Sequence, residues 1–137
     1  MKRCLLCLVL GGLVMVPILG AADRPAKPRV FELRTYTTHE GRLDALHARF
    51  RDHTCKLFKK HNMQMIGFWM PTDEEKAENT LVYLLAFESR DAAKKAWSAF
   101  RNDPVWRAAS KASIADGRIV RKVESEFLSA TDYSAMK

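Results

Sequence analysis

Glu32, Arg34 and Tyr36 alternate along the run Val30 to Thr38 (VFELRTYTT), and their types suit the recognition of an anion. Alternation with period 2 is the spacing of one strand face, so these three share a face while Phe31, Leu33 and Thr35 take the other. On that face Arg34 can fork onto a carboxylate, and Tyr36 or Tyr83 can donate hydrogen bonds. Lys122, Glu124 and Glu126 near the end of the chain are expected alongside, so Glu126 joins the candidate pocket. The same residues would also serve as a structural ion network between two copies, since buried charge persists only when paired.

The other reactive side chains give weaker patterns. The four histidines, at 39, 47, 53 and 61, lack the i, i+4 spacing of a helical zinc pair and have no acidic partner at matching intervals, so no metal is expected. His53 and His61 are placed where a helix meets the sheet, which leaves a haem or substrate contact conceivable beside the commoner role of a hydrogen-bonded boundary residue. Cys55 has Lys56 and Lys59 nearby, which would lower its pKa, yet it has no resolving cysteine and reads as an incidental thiol. Of three tryptophans, Trp97 is expected in the core and Trp106 against the sheet edge. Trp69, at the end of a strand, is the candidate for stacking a planar ligand.

These residues need elements to position them. Lys2 and Arg3 precede an uncharged stretch, Cys4 to Ala22, ending in small residues, which reads as an export signal cut after Ala22 and directs the chain to the periplasm or beyond. An uncleaved anchor is the rival reading. Removing it leaves Cys55 as the single cysteine, so the fold is expected to hold by packing without an internal disulfide. Residues 23–29 (DRPAKPR) form a polar, Pro-rich tether, and 30–137 form one domain.

Within that domain the first strand spans Val30 to Thr38. A helix is expected from about Arg42 to His61, with Leu43, Leu46, Phe50, Thr54 and Leu57 in its apolar arc and Arg49, Asp52, Lys56 and Lys59 opposite. A second strand, Gln64 to Met70, ends at Pro71 and leads into a charged loop, Asp73 to Asn79. The third strand, Thr80 to Glu88 (TLVYLLAFE), is apolar on both faces, so both need cover. A second helix starts near Arg90 with Ser89 as its cap, a short one restarts at Asp103-Pro104, and a last strand runs from about Arg118 to Leu128. The order βαββαβ predicts an α+β, ferredoxin-like domain with both helices on one face of a four-stranded antiparallel sheet. The apolar second face of strand three then calls for a second copy, sheet against sheet.

Three stretches, VFELRTYT, NTLVYLLAFESRDAAKKAWSAFRNDPVW and KVESEFLSATDYS, resemble the NIPSNAP-domain family over Val30 to Ser134, most specifically at Asn79, Tyr83, Phe100, Asp103, Pro104 and Trp106. The resemblance is to short exported bacterial members and implies a homodimeric α+β barrel. It implies no established reaction. The expected function is binding of a small or hydrophobic molecule, or of a protein partner, in or beside the barrel; because related barrels include monooxygenases and haem-handling enzymes, an enzyme using Arg34, Tyr36, Tyr83 and a histidine is one alternative and a purely structural dimer another.

Net charge excludes less than it first offers. The chain carries 23 Lys plus Arg against 16 Asp plus Glu, a formal +7. Six of these bases lie in 42–60 against two acids, so an anionic envelope surface is the partner expected for that helix. Nucleic acid is not expected, because TLVYLLAFE lacks the core of an RNA-binding RNP1 segment. No cofactor is expected, because the sequence has no Gly-rich phosphate loop, nucleophile elbow or nucleotide fingerprint.

Overall fold

A computed structural model describes residues 29–137. The leader at 1–22 and all of the tether but Arg29 lie outside the described residues. The elements are β1 (Val30–Thr38), α1 (Leu43–Arg49), a π-helical turn (Phe50–Thr54), α2 (Cys55–Lys60), β2 (Gln64–Trp69), α3 (Glu74–Ala77), β3 (Thr80–Phe87), α4 (Arg90–Asn102), α5 (Pro104–Ser113) and β4 (Val120–Ser129). All four strands form one antiparallel sheet in the order β2-β3-β1-β4, the ferredoxin-like arrangement. Among the described residues no helix is long and apolar enough to cross a membrane.

Both faces of β3 are apolar, but one is packed far more completely. Leu81, Tyr83, Leu85 and Phe87 lie under the helices, and Tyr83 and Leu85 have no exposed surface. Tyr83 is the hub of an aromatic cluster, with ring centroids 5.3 Å from Tyr36, 5.4 Å from Phe50 and 5.5 Å from Phe68. Such pairs contribute about 0.5–1.5 kcal/mol each beyond the area they bury. The opposite row, with Val82 and Leu84, is only partly covered.

The expected helix over 42–61 is one continuous helical run in which a π turn lies between α1 and α2. Thr54 Oγ1 donates to the Arg49 carbonyl five residues back, at 3.2 Å. The apolar arc is nevertheless correct, since Leu43, Leu46, Phe50, Thr54 and Leu57 are all buried. Arg49 is not on the solvent side as expected. It is only 9% exposed, because α5 packs along that flank of α1 and the wheel of an isolated helix does not include α5.

Two further differences are local. The charged loop over 73–79 contains a single helical turn, α3. Trp106 packs on α4, 4.4 Å from Phe100 between ring centroids, instead of against the sheet edge. The caps are as expected: Ser89 Oγ accepts from Ala92 N–H at 3.1 Å, and Asp103 Oδ1 accepts from Val105 N–H at 2.9 Å.

Candidate functional site

Register decides which face each polar residue occupies. Arg34 pairs with Tyr83 on β3 and with Ser125 on β4, while Glu32 pairs with Leu85 and Phe127. Directly opposed residues share a face, so Glu32, Arg34 and Tyr36 lie with Tyr83, under the helices. They do not face the open side of the sheet, so they are not available as an ion network between two sheets packed face to face. The more apolar row of β3 goes under the helices, and the register carries Arg34 with it.

Glu126 is corrected by the same rule. It opposes Leu33, so it shares the open face with Glu124 and Lys122 and is separated from Arg34 by the sheet. The β4 residue that does reach the cluster is Ser125, whose Oγ donates to Glu32 Oε1 at 2.6 Å. Arg34 Nη1 donates to the same oxygen at 2.6 Å, and Trp97 Nε1 donates to Oε2 at 2.5 Å. Glu32, 2% exposed, is thereby a buried carboxylate with three donors.

Arg34 is sandwiched by this arrangement. Its guanidinium carbon lies 4.3 Å from the Trp97 ring centroid, and Nη2 donates to the Tyr36 hydroxyl at 3.4 Å. Burial works against its charge, but the Tyr36 and Tyr83 oxygens and the Glu32 carboxylate outweigh it and hold its pKa above the usual value. Burial, with Tyr36 next in weight, pushes the Tyr83 phenol well above its ordinary range, which keeps it a protonated donor. Tyr36 and Arg34 lie close enough to the Tyr83 hydroxyl to act on it, yet neither makes a well-formed hydrogen bond with it, and Arg34 Nε has no partner.

The cluster opens at one flank. The helix side of β4 is largely uncovered: Val123 is 46% exposed, and Ser125, beside Arg34, is also exposed. The Arg34 side chain itself is 15% exposed.

The remaining candidates sit elsewhere. His53 is exposed and lines an outer groove between α1 and α5, away from the sheet. His61 is bound to Asp103, its Nε2 2.7 Å from Oδ2, which also accepts from Lys60 Nζ at 2.8 Å. Trp69 opposes Val82, so it belongs to the open face, where a Cβ on Gly67 would fall 2.5 Å from the indole. The ring lies over that glycine, and Trp69 is 52% exposed. Cys55 is half-buried, and burial pushes its thiol pKa up against a smaller opposing effect of Lys59, reversing the expected direction.

Sequence reasoning missed Ser125, the polar role of Trp97, and the burial of Arg49. One signal was present: a tryptophan on an apolar helix face needs an acceptor for its N–H, and Glu32 is a carboxylate in the facing strand.

The open face is concave, with hollows of about 620 Å³ beside Leu33, Thr35 and Glu126 and about 580 Å³ beside Thr37, Val82 and Arg121. Among the described residues no group of three or more His, Cys, Asp or Glu side chains is placed to hold a metal ion.

Comparison with known proteins gives a consistent family. The NIPSNAP family model matches residues 31–135. A NIPSNAP family protein of unknown function from Agrobacterium tumefaciens has 21% identity and a TM-score of 0.69, covering 82% of this chain and 96% of that one. A NIPSNAP-like domain protein from Burkholderia xenovorans has 14% identity and a TM-score of 0.67 over 77% of this chain and 88% of that one. A cofactor-independent oxygenase from Streptomyces nogalater, SnoaB, has 15% identity and a TM-score of 0.51 over 80% of this chain and 99% of that one. No curated protein sequence matches the chain.

Proposed function

The chain belongs to the NIPSNAP family, and from that premise we propose that it is an exported, homodimeric binding protein holding a small organic anion on Arg34, Tyr36 and Tyr83. One observation carries the reading: the Tyr83 hydroxyl is fully buried beside Tyr36 and Arg34 without a well-formed hydrogen bond to either, in the same cluster as an Arg34 whose Nε has no partner. Most buried polar groups in folded domains are paired, and an orphan costs about 1–3 kcal/mol. A carboxylate or phenolate oxygen between these groups would accept from both, and the surrounding aromatic rings suit a planar body.

The second copy covers the open face. Leu33, Val82 and Leu84 form the apolar centre of that face, and the row Lys122, Glu124 and Glu126 gives it a charged margin. The basic back of α1 and α2 is the surface proposed for contact with an anionic envelope. Arg42 is engaged by Asp116, Lys60 by Asp103, and Arg49 is buried, so Arg51, Lys56 and Lys59 carry that contact.

Native mass spectrometry of protein purified from its own host tests this reading. The expected spectrum shows a dimer with a retained small acid that is lost in R34M and Y83F. A monomer without adduct, whose arginine signals do not respond to benzoate, would overturn it. A second reading is oxygen chemistry without a cofactor, favoured by the same paired donors, which can hold a substrate as its oxyanion. Oxygen uptake with a hydroquinone, abolished in R34M, would select it over simple binding.

A further inference from the structure

Arg49 is a buried charge that the rest of the fold leaves unmatched. It ends α1, is 9% exposed, and its Nε makes no hydrogen bond. Among the described residues no carboxylate forms a salt bridge with it. Its polar contact is a long one, Nη1 to Ser113 Oγ at 3.4 Å, and its guanidinium carbon lies 5.6 Å from the Trp106 ring centroid. Arg34, in the same domain, shows what a compensated buried arginine looks like, with Glu32 at 2.6 Å.

Burial without a counter-charge pushes the Arg49 pKa down, with Tyr36 and Tyr83 opposing more weakly. An arginine nonetheless stays charged at any ordinary pH, so the missing partner is an anion and not a proton loss. The backbone fixes the residue from which the charge projects. The π turn begins directly after Arg49, and Thr54 holds the Arg49 carbonyl. Single π turns inside α-helices are frequent at functional sites.

Arg49 and Ser113 both line a groove of about 320 Å³ between α1 and α5. Its walls are short, with Ala45, Ala48, Ala109 and Ala112 supplying methyl groups on either side. Asp116 at the rim does not neutralise Arg49, because both of its oxygens accept from Arg42 at 2.7 Å. Asp52 and His53 complete the rim, and Asp52 is exposed to solvent.

We propose that this groove is a carboxylate-binding site in which Arg49 receives the carboxylate and the alanine walls hold a short aliphatic tail; the Ser113 hydroxyl, which donates to the Ser110 carbonyl at 2.8 Å, only accepts from Arg49. The planar fork of an arginine matches two carboxylate oxygens, and the methyl walls select a slim tail over a ring. Arg49 feels the same Tyr36 and Tyr83 as Arg34, but none of Arg34, Tyr36 and Tyr83 lines its groove, so the proposal stands whether or not the Arg34 cluster binds a ligand.

Hexanoate titrated into the full chain labelled with ¹⁵N-arginine tests it, with sodium hexanoate replacing sodium chloride at constant ionic strength. A saturable shift of the Arg49 Nε–H signal is expected, lost in R49Q and retained in R34M. R49Q is expected to melt no lower than the parent, because it removes an unpaired buried charge. Should it fail to fold, A112F supplies the control by filling the groove while keeping Arg49. The proposal is overturned if R49Q or A112F binds hexanoate undiminished, if no saturable shift occurs, or if R34M abolishes binding while R49Q does not.

Discussion

The Trp97 indole N–H donates to Glu32 Oε2 at 2.5 Å, and this bond fastens α4 to the central strand of the sheet. Arg34 lies against both partners, 2.6 Å from Glu32 Oε1 and stacked over the Trp97 ring. A carboxylate buried under helices is tolerable here because Arg34, Trp97 and Ser125 all donate to it.

Trp97→Phe keeps most of the packing and removes one donor to Glu32. We expect a loss of about 1–3 kcal/mol, the cost of leaving a buried acceptor short of its partner. Glu32→Ala strands Arg34 instead and is expected to cost more, about 3–5 kcal/mol. Urea denaturation of both variants measures the order; a Glu32→Ala domain as stable as Trp97→Phe would show that Arg34 does not depend on Glu32.

Tyr83→Phe removes a hydroxyl that makes no well-formed hydrogen bond in the free protein. Stability should stay within about 1 kcal/mol of the parent, or rise, because no hydrogen bond is lost. Binding of the retained acid should fall in the same variant. A drop of several kcal/mol in unfolding free energy would mean that the hydroxyl is satisfied in the free protein and has no ligand to wait for.

Asp103 links the end of α2 to the start of α5, since its Oδ2 accepts from Lys60 and His61 while Oδ1 caps α5. Hydrogen bonds from Lys60 and then His61 hold its carboxyl well below the usual carboxylate range. A folded-state pKa depressed in this way contributes stability that is present above the unfolded value, about 4, and lost as pH falls below it. Thermal melts at pH 7 and pH 3 should show a smaller pH effect in Asp103→Asn, which keeps the cap but not the charge. Equal pH effects in the variant and the parent would remove Asp103 from the acid response.

Leu84→Lys places a charge at the centre of the open sheet face without touching the helix-side core. Light scattering should report a dimer for the parent at micromolar concentration and a monomer for the variant, with little change in monomer fold by circular dichroism. A parent that is monomeric under those conditions would sink the sheet-to-sheet dimer.

How much was readable beforehand varied with the range of the interaction. The βαββαβ order and the apolar arc of the first helix followed from local periodicity, as did the Ser89 and Asp103 caps. The α5 packing that buries Arg49 did not, because a helical wheel contains no information about a neighbouring helix. Glu126 and Arg34 were set on one face for the same reason. Strand adjacency follows from topology, whereas the face depends on a register that changes sides with every residue.

By itself, then, the sequence determined which residues alternate and which elements exist, because period 2, period 3.6 and capping chemistry act within a few residues along the chain. Tertiary structure alone decided that Arg34, Tyr36 and Tyr83 face the helices, that Ser125 and Trp97 complete Glu32, and that Arg49 is enclosed without a counter-charge. Those outcomes come from cross-strand register and helix docking, which minimise exposed apolar area over the whole domain and move polar side chains along with the rows they occupy.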